Sequence, residues 1–506
     1  MAAPNSPNGN VNLKLNILTI DDVLKRAALN TGIEQAIIDS QYNDLRQQLG
    51  KLVFYDKVVV YRPDINSSLT KKGNTFTIDE EGLSKIEVSI PTIQELSGYG
   101  AKIVIIAHQG TAGQEDCISL VPHHKALEDL LGNDVPFVQG DWYGEPVRDK
   151  VNSMQPGQVI LLDNVRGFPV NVEGNGRTVR SSESFLNAPS SYTKLLEELA
   201  DIVVNDGVPV WHRFQASVMG MPNLLNIAGR QAQIEIEGNR ALGANIKDPC
   251  TMLFGGVKIT DYLDLIETSL QKGIVDKVLA SGALGIMGNL AIMGQYQSDY
   301  FGKSTEGFLK KEGIYGQLAR IREIARRYPS QFIMPLDFKV ELDEKVFYID
   351  KEDLFNHEGK GRMHLYGIGP KTVELFKNIL KQSNTIYTKG PPTKNDDARF
   401  AAESKELIDE IVRQHQRGAT TVLSGGHTNT LIRQFGYTTQ DFSFVTLAGG
   451  AATQYHNGTP LPGLLMLDAS YRAFYGLSPY SGIEHLPIRT EFQAPTRIPA
   501  LLQLRG

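Results

Sequence analysis

The segment Thr421-Val-Leu-Ser-Gly-Gly-His-Thr428 ends an apolar β-type run in small residues and then a polar one. Phe444-Val-Thr-Leu-Ala-Gly-Gly-Ala451 repeats the pattern. A parallel strand that delivers a glycine-rich turn to a helix N-terminus reads this way, and backbone N–H groups there can surround phosphate oxygens. Gly425, Gly426 and Thr428 in the first turn, and Gly449 and Gly450 in the second, are candidates for that work. Glycine turns alone are weak signals, because tight turns need glycine in any α/β protein. A second kind of chemistry is cationic. Arg166 and Arg213 follow the apolar runs Val159–Leu162 and Ile202–Asn205. Guanidinium forks suit phosphate and carboxylate because they donate two parallel charge-assisted bonds. A lone arginine in such a place is more often half of a solvated salt bridge.

The elements that must position these groups alternate along the chain. Val58–Tyr61, Lys102–Ile106, Val159–Leu162 and Ile202–Asn205 read as buried strands, with helices at Ile90–Tyr99 and Tyr192–Ala200 between them. A second set follows Glu235: strands at Met252–Phe254, Lys277–Ala280, Phe332–Met334 and Thr421–Leu423, and helices near Asp261–Lys272 and Ala401–Gln416. Short β-branched runs separated by amphipathic helices predict a parallel sheet covered on both faces. Asp21-Asp22 is a plausible cap for an early helix, and Asn226–Leu242 reads as a helical connection between the halves.

A chain of 506 residues is too long for one ordinary core, so two domains are the default. Its 41% apolar and 21% charged content is that of a soluble globular protein. A net charge of −6 leaves no nucleic-acid footprint, and no apolar run is long enough to span a bilayer. The two cysteines, Cys117 and Cys250, have no metal spacing and fit a reducing compartment. Met1–Asn12 has neither an apolar signal core nor an Arg-rich leader, so a cytosolic location is expected.

Taken in order, the turns resemble those of the phosphoglycerate kinase family over roughly Val58 to Gly463. Arg62-Pro-Asp-Ile-Asn66 is similar to the family's R-V-D-x-N, Ala107-His-Gln-Gly110 to S-H-L-G, and Asp163-Asn-Val-Arg166 to E-N-[LV]-R. Asn205-Asp206 with His212-Arg213 resembles N-D-A-F-G-x-x-H-R, and Gly255-Gly-Val-Lys258 resembles G-G-[AS]-K. Met334-Pro-Leu-Asp337, Gly367-Ile-Gly-Pro-Lys-Thr372 and Leu461-Pro-Gly463 continue the series. The resemblance implies an α/β fold of two doubly wound, Rossmann-like parallel-sheet domains joined by a helix, with hinge-bending kinase architecture. The expected boundaries are 1–50 for an N-terminal extension, 51–230 for an acid-binding domain, 231–466 for the helix and nucleotide domain, and 467–506 for a C-terminal extension.

The implied activity is reversible phosphoryl transfer between ATP and the carboxylate of 3-phosphoglycerate or a related acid. The resemblance places Asp64, Asn66, His108, Arg166 and Arg213 around the acid. Both arginines then lie inside family motifs, which reverses the salt-bridge preference; a core or surface histidine remains open for His108 and His212. Lys258, Arg213, Lys85, Gly449 and Gly450 would meet the transferring group. Gly255, Lys258, Gly282, Lys389, Asp396, Gly425, Gly426 and Thr428 would face the nucleotide, and Mg-ATP or Mg-ADP is the implied cofactor.

Departures from the family cluster on that nucleotide side. Tyr262 stands where a second phosphate-binding lysine belongs, and His427 where an aspartate meets the metal-nucleotide. Imidazole is a poor substitute for carboxylate toward magnesium. Lys389 replaces an asparagine, Asp396 is a shorter stand-in for a glutamate, and a glycine triplet is eroded to Ala280-Ser-Gly282. On the acid side, Lys85 and Thr111 replace arginines, for which Arg177 or Arg180 could compensate. These departures keep open a catalytically weak or inactive paralogue with a binding, regulatory or assembly role. Tyr471, Phe474, Tyr475 and Tyr480 would then anchor a protein partner, or simply pack the tail onto the body.

Overall fold

The β-branched run at Val58 begins a strand, β1 (Val58–Pro63), whose side chains are buried on both faces. A computed structural model describes residues 15–31, 43–140, 144–166, 191–219, 221–244, 246–293, 302–354, 356–448, 451, 454–455, 460–477 and 495–503. Tertiary contacts divide the chain into two units, Met1–Glu237 with Gly458–Gly506, and Gly238–Asn457. The helix Arg230–Ala244 carries the chain from the first to the second. Among the described residues no helix is long and apolar enough to cross a membrane.

In the first unit β1 is followed by a hairpin, β2 (Leu69–Lys72) and β3 (Thr75–Ile78). Then come β4 (Lys102–Ile105), β5 (Phe137–Val138), β6 (Val159–Leu162), β7 (Ile202–Asp206) and β8 (Leu225–Ala228). Apart from the hairpin these strands form one parallel sheet in the order β5-β6-β4-β1-β7-β8. Val59 and Tyr61 enter one apolar cluster and Val60 the opposite one, so both faces of β1 are covered. With apolar neighbours on both faces, β1 reads as a continuous apolar run rather than an alternating one.

The second unit repeats the plan. Its strands are β9 (Cys250–Phe254), β10 (Lys277–Ala280), β11 (Phe332–Ile333), β12 (Asp337–Leu342), β13 (Lys345–Asp350), β14 (His364–Ile368), β15 (Thr385–Lys389), β16 (Thr420–Ser424) and β17 (Phe444–Thr446). The parallel sheet runs β11-β10-β9-β15-β16-β17, and β12 to β14 make a separate antiparallel sheet. Met252 and Phe254 face one cluster and Leu253 the other. Both parallel sheets therefore have the doubly wound order in which ligands bind beyond the carboxyl ends of the central strands.

Two sequence expectations change. Asp21-Asp22 is not the cap of the helix Ile20–Thr31; Thr19 is. The Thr19 hydroxyl accepts the Asp22 N–H at 3.1 Å, and the Asp22 carboxylate takes the Thr19 N–H at 2.9 Å, a reciprocal capping box. Asn226–Leu242 is not all helix, because Leu225–Ala228 is the edge strand β8 and the helix starts only at Arg230. The Asn226 amide bonds the Met221 and Leu224 carbonyls, and its N–H goes to Ser470 Oγ, so this strand residue leaves nothing orphaned.

As far as Leu477, the segment from Asp468 packs onto the first unit. It continues a buried helix, Pro462–Phe474, whose residue Gly463 touches Trp211. Tyr471, Phe474 and Tyr475 pack the tail onto the body: the Arg26 guanidinium lies 4.3 Å from the Phe474 ring centroid, and the Tyr475 hydroxyl reaches Asp22. Tyr480 lies outside the described residues.

A Cβ on Gly463 would stand 2.3 Å from the Trp211 ring. We expect Gly463→Ala to destabilise the first unit by about 1–3 kcal/mol through overpacking. Thermal unfolding followed by tryptophan fluorescence measures this; an unchanged midpoint would mean the helix is not seated on Trp211.

Candidate functional site

In the first unit the sequence-predicted acid residues converge at the carboxyl ends of β1, β4, β6 and β7. Pro63 ends β1, since it has no N–H with which to extend the ladder, and the chain turns to present Asp64 and Asn66. The Asn66 amide oxygen accepts the Gly110 N–H at 2.8 Å, and its carbonyl accepts Lys85 Nζ at 2.8 Å. Arg166 is buried, with its guanidinium on the Gly110 carbonyl at 2.7 Å. Arg213 is exposed, and its Nε donates to His212 Nε2 at 3.2 Å. Gly110 has φ +69, and a Cβ there would stand 2.3 Å from the Asp116 carbonyl oxygen, so only glycine lets this loop fold back.

His108 is buried at the centre of this group. Burial first, then the charges of Arg62, Arg166, Arg213 and Lys85, push its pKa well below the ordinary value. Four cations thus surround one neutral imidazole. Asp64 Oδ1, 3.9 Å from His108 Nδ1, is buried and accepts no hydrogen bond. An orphaned acceptor beside clustered cations is what a bound hydroxylated anion would satisfy.

A supporting layer fixes the loops. Asn164 bonds the backbone of Gln109, Ile118 and Arg166, and Gln109 bonds Ser67 and His123. Asp206 is fully buried, and burial raises its pKa although it accepts from Tyr61, Thr92 and the Ala232 N–H. Sequence reasoning gave no role to Arg62, which is completely buried with Nε on Ser217 Oγ and Nη2 on His108. The signal was available: an arginine right after Val58-Val-Val-Tyr61, on a strand buried on both faces, needs a polar reason.

In the second unit the glycine turns interlock. A Cβ on Gly255 would lie 2.2 Å from the Pro391 carbonyl oxygen, one on Gly390 2.5 Å from the Gly255 carbonyl oxygen, and one on Gly282 2.7 Å from Gly256 N. Their N–H groups are mostly consumed in this packing. Gly255 donates to Lys389, Gly256 to Pro391, Gly282 to Pro392 and Gly425 to Thr446, all backbone carbonyls, while Gly390 donates to Thr428 Oγ1. What these glycines offer a ligand is therefore shape rather than donors. The Thr428 hydroxyl is spent too, since it donates to the Ser424 carbonyl at 2.8 Å. The helix Gly426–Gln434 nonetheless opens at this rim, after Gly425 at φ +100.

Lys258 follows β9, is exposed, and meets no partner among the described residues. Lys389 is buried at the end of β15. Tyr262 points inward, 2% exposed, with its hydroxyl on the Gly255 carbonyl at 3.0 Å and its ring stacked on Phe254. Asp396 is exposed, on a turn whose Asn395 carbonyl accepts from Gln434 at the far end of that helix. Gly449, Gly450, Arg177, Arg180 and the His427 side chain lie outside the described residues. Asp337 takes the Lys371 and Thr372 N–H groups, so its motif caps the helix Pro370–Leu380.

Among the described residues no three His, Cys, Asp or Glu side chains are grouped to hold a metal. The turn Ser424–Thr428 contains no carboxylate, and its threonine hydroxyl is engaged. These residues do not fit a magnesium site built by the protein.

A sequence model of the phosphoglycerate kinase family matches residues 49–459. Phosphoglycerate kinase of Aeropyrum pernix is 30% identical over 422 residues, 83% of this chain and 94% of the relative. That of Thermosipho africanus is 31% identical over 415 residues, 81% and 94% of the two chains. The crystal structure of phosphoglycerate kinase from Pyrococcus horikoshii superimposes with TM-score 0.70 at 27% identity, covering 83% of this chain and 98% of that one. The Coxiella burnetii structure gives 0.58 at 25% identity, over 82% and 96%.

The buried imidazoles make stability depend on pH. Burial pushes His123 down to about 4. The unfolded chain takes that proton near its ordinary value of about 6.5. Its contribution is complete above that value, is lost as pH falls through the window, and levels off below about 4. His108 acts in the same direction. Urea midpoints should fall between about pH 7 and 4, less steeply in His123→Gln. Parallel slopes for the two proteins would exclude His123 as a source of the loss.

Proposed function

Because this chain belongs to the phosphoglycerate kinase family, we propose that it transfers a phosphoryl group reversibly between ATP and the carboxylate of 3-phosphoglycerate or a related acid. A carboxylate oxygen attacks the γ-phosphorus, the bond from that phosphorus to the β-phosphate oxygen breaks, and ADP and an acyl phosphate result. The observation that carries the reading is the cationic group around His108, with Asp64 Oδ1 left without a donor. Arg166 and Arg213 hold the acid's distal phosphate, Asp64 accepts a hydrogen bond from its hydroxyl, and Asn66 and His108 complete the clamp. Such chemistry depends mainly on positioning and charge stabilisation rather than on a protein nucleophile.

On the nucleotide side Lys258 stabilises the transferring group, since its exposed ammonium can approach phosphate oxygens. The N–H groups that open the helix Gly426–Gln434 favour the same negative charge. On the acid side Lys85 retains donors beyond the one it gives Asn66, and contributes charge for the transferring group. No protein carboxylate is assigned to magnesium; the charge is met by lysine and backbone.

One observation favours a second reading, that of a catalytically weak paralogue. Tyr262 is packed into the core, so no side chain at that position reaches a phosphate. Titration calorimetry with Mg-ADP, with and without 3-phosphoglycerate, separates the two readings. Binding of the acid without any heat from Mg-ADP would leave only the second.

For the first reading we expect Lys258→Ala to lower kcat about 100-fold or more, with an unchanged thermal midpoint because the side chain is exposed. A turnover rate equal to that of the parent protein would remove Lys258 from the mechanism.

A further inference from the structure

His108 has two potential claimants for one ring nitrogen. Arg62 Nη2 lies 3.0 Å from Nδ1, and Asp64 Oδ1 lies 3.9 Å from the same atom. A guanidinium has only donors, so in the first contact Nδ1 must accept and the ring proton must sit on Nε2. A carboxylate favours the opposite arrangement, drawing a proton onto Nδ1 and charging the ring. Geometry decides for Arg62. Its Nε is fixed on Ser217 Oγ at 3.1 Å and its Nη1 on the Pro63 carbonyl, so the guanidinium cannot swing away.

Arg62 is an unusual group to bury. It is completely enclosed, and its three partners, a hydroxyl, a carbonyl and an imidazole, are all neutral. A buried cation without a counter-charge is costly. Its effect on the site is to leave two complementary groups unspent. Asp64 Oδ1 accepts nothing from the described residues, and His108 Nε2 bonds none of them. Nε2 is therefore the ring nitrogen a ligand can reach. The other charged groups facing the ring, Arg166, Arg213 and Lys85, also disfavour a second proton on it.

We propose that Arg62 is a positioning residue that holds His108 as the neutral Nε2–H tautomer, keeping an Nε2–H donor and the Asp64 acceptor both available to a hydroxylated, phosphorylated carboxylic acid. The identity of the acid rests on the phosphotransferase reading; the tautomer does not. Without the guanidinium, Nδ1 turns to Asp64, the pair closes on itself, and donor and acceptor leave the site together. Arg62 touches neither the acid nor the reacting atoms and acts only through His108.

Long-range proton–nitrogen NMR of the imidazoles in the full-length protein tests this, from about pH 5.5 to 8.5. In the parent protein His108 should show the Nε2–H tautomer throughout, without titrating. In Arg62→Met the ring should shift to Nδ1–H character and titrate nearer about 6.5. The Kd for 3-phosphoglycerate, read from the His108 resonances, should rise about ten- to a hundredfold, the loss of roughly two net hydrogen bonds.

Arg62→Lys, which can still donate to Nδ1, should restore the tautomer in part. An Nδ1–H or titrating ring in the parent protein overturns the proposal without any variant, and so covers a failure of Arg62→Met to fold. A folded Arg62→Met with an unchanged tautomer overturns it too, and an altered tautomer with unchanged Kd overturns its link to the acid. Acid binding without turnover would instead sink the phosphotransfer reading and leave this assignment standing.

Discussion

The carboxylate of Asp206 is the point through which the first unit holds its strand ends in place. It is buried at the end of β7 and accepts from the Tyr61 hydroxyl of β1, the Thr92 hydroxyl of the helix Ile90–Gly98, and the Ala232 N–H of the helix Arg230–Ala244. Four elements meet on two oxygens. Gly229 has no side chain because a Cβ there would stand 2.2 Å from that carboxylate. Burial raises the Asp206 pKa against the pull of those donors, so the group is held at a cost that only complete hydrogen bonding offsets. Residue 62 of β1 and residues 212 and 213 beyond β7 inherit their spacing from this junction, and the cationic group around His108 depends on that spacing.

The two candidate half-sites are built on different physics. The acid side is made of side chains whose hydrogen-bonding capacity is partly unspent, as with Asp64 Oδ1 and His108 Nε2. The nucleotide side is made of backbone turns packed so closely that side chains cannot enter, and five glycine N–H groups are already donated within the cluster. A ligand there meets a surface shaped by absent Cβ atoms, one exposed lysine and a helix N-terminus. Tyr262 fits that description, because a phenol stacked on Phe254 and bonded to the Gly255 carbonyl serves the turn rather than a phosphate.

The described parts of the N- and C-terminal segments pack within the first unit. The Thr19 N-cap starts a helix whose Asp21 joins Arg46, Glu95 and Arg230 in an ion-pair network. Burial opposes the Asp21 charge, but Arg230 and Arg46 hold its carboxyl well below the usual range. Phe474 and Tyr475 close over Arg26 from the other end of the chain. Packing, the more favoured of the two sequence readings of these aromatics, is what Tyr471, Phe474 and Tyr475 show.

Periodicity made the sheets legible. Valine, isoleucine and leucine runs at 58, 102, 159, 202, 252, 277 and 421 became central strands, because burial on both faces permits nothing else there. The hairpin β2–β3, the two-residue strand β5, the edge strand β8 with its polar Asn226, the antiparallel sheet β12 to β14, and the central strand β15, which mixes Thr and Lys with Ile and Tyr, lacked that pattern and went unread. Ordered motifs likewise located the strand ends and the turns that carry the candidate residues. Whether a motif residue faces a ligand or a neighbour was decided by contacts between segments distant in sequence. Arg62 and His108 are 46 positions apart, Gly255 and Pro391 farther still. Sequence alone determined the doubly wound plan and the family, since both follow from local runs and their order. Only the tertiary structure decided which donors remain unspent, because a hydrogen bond between remote strands leaves no mark on either strand by itself.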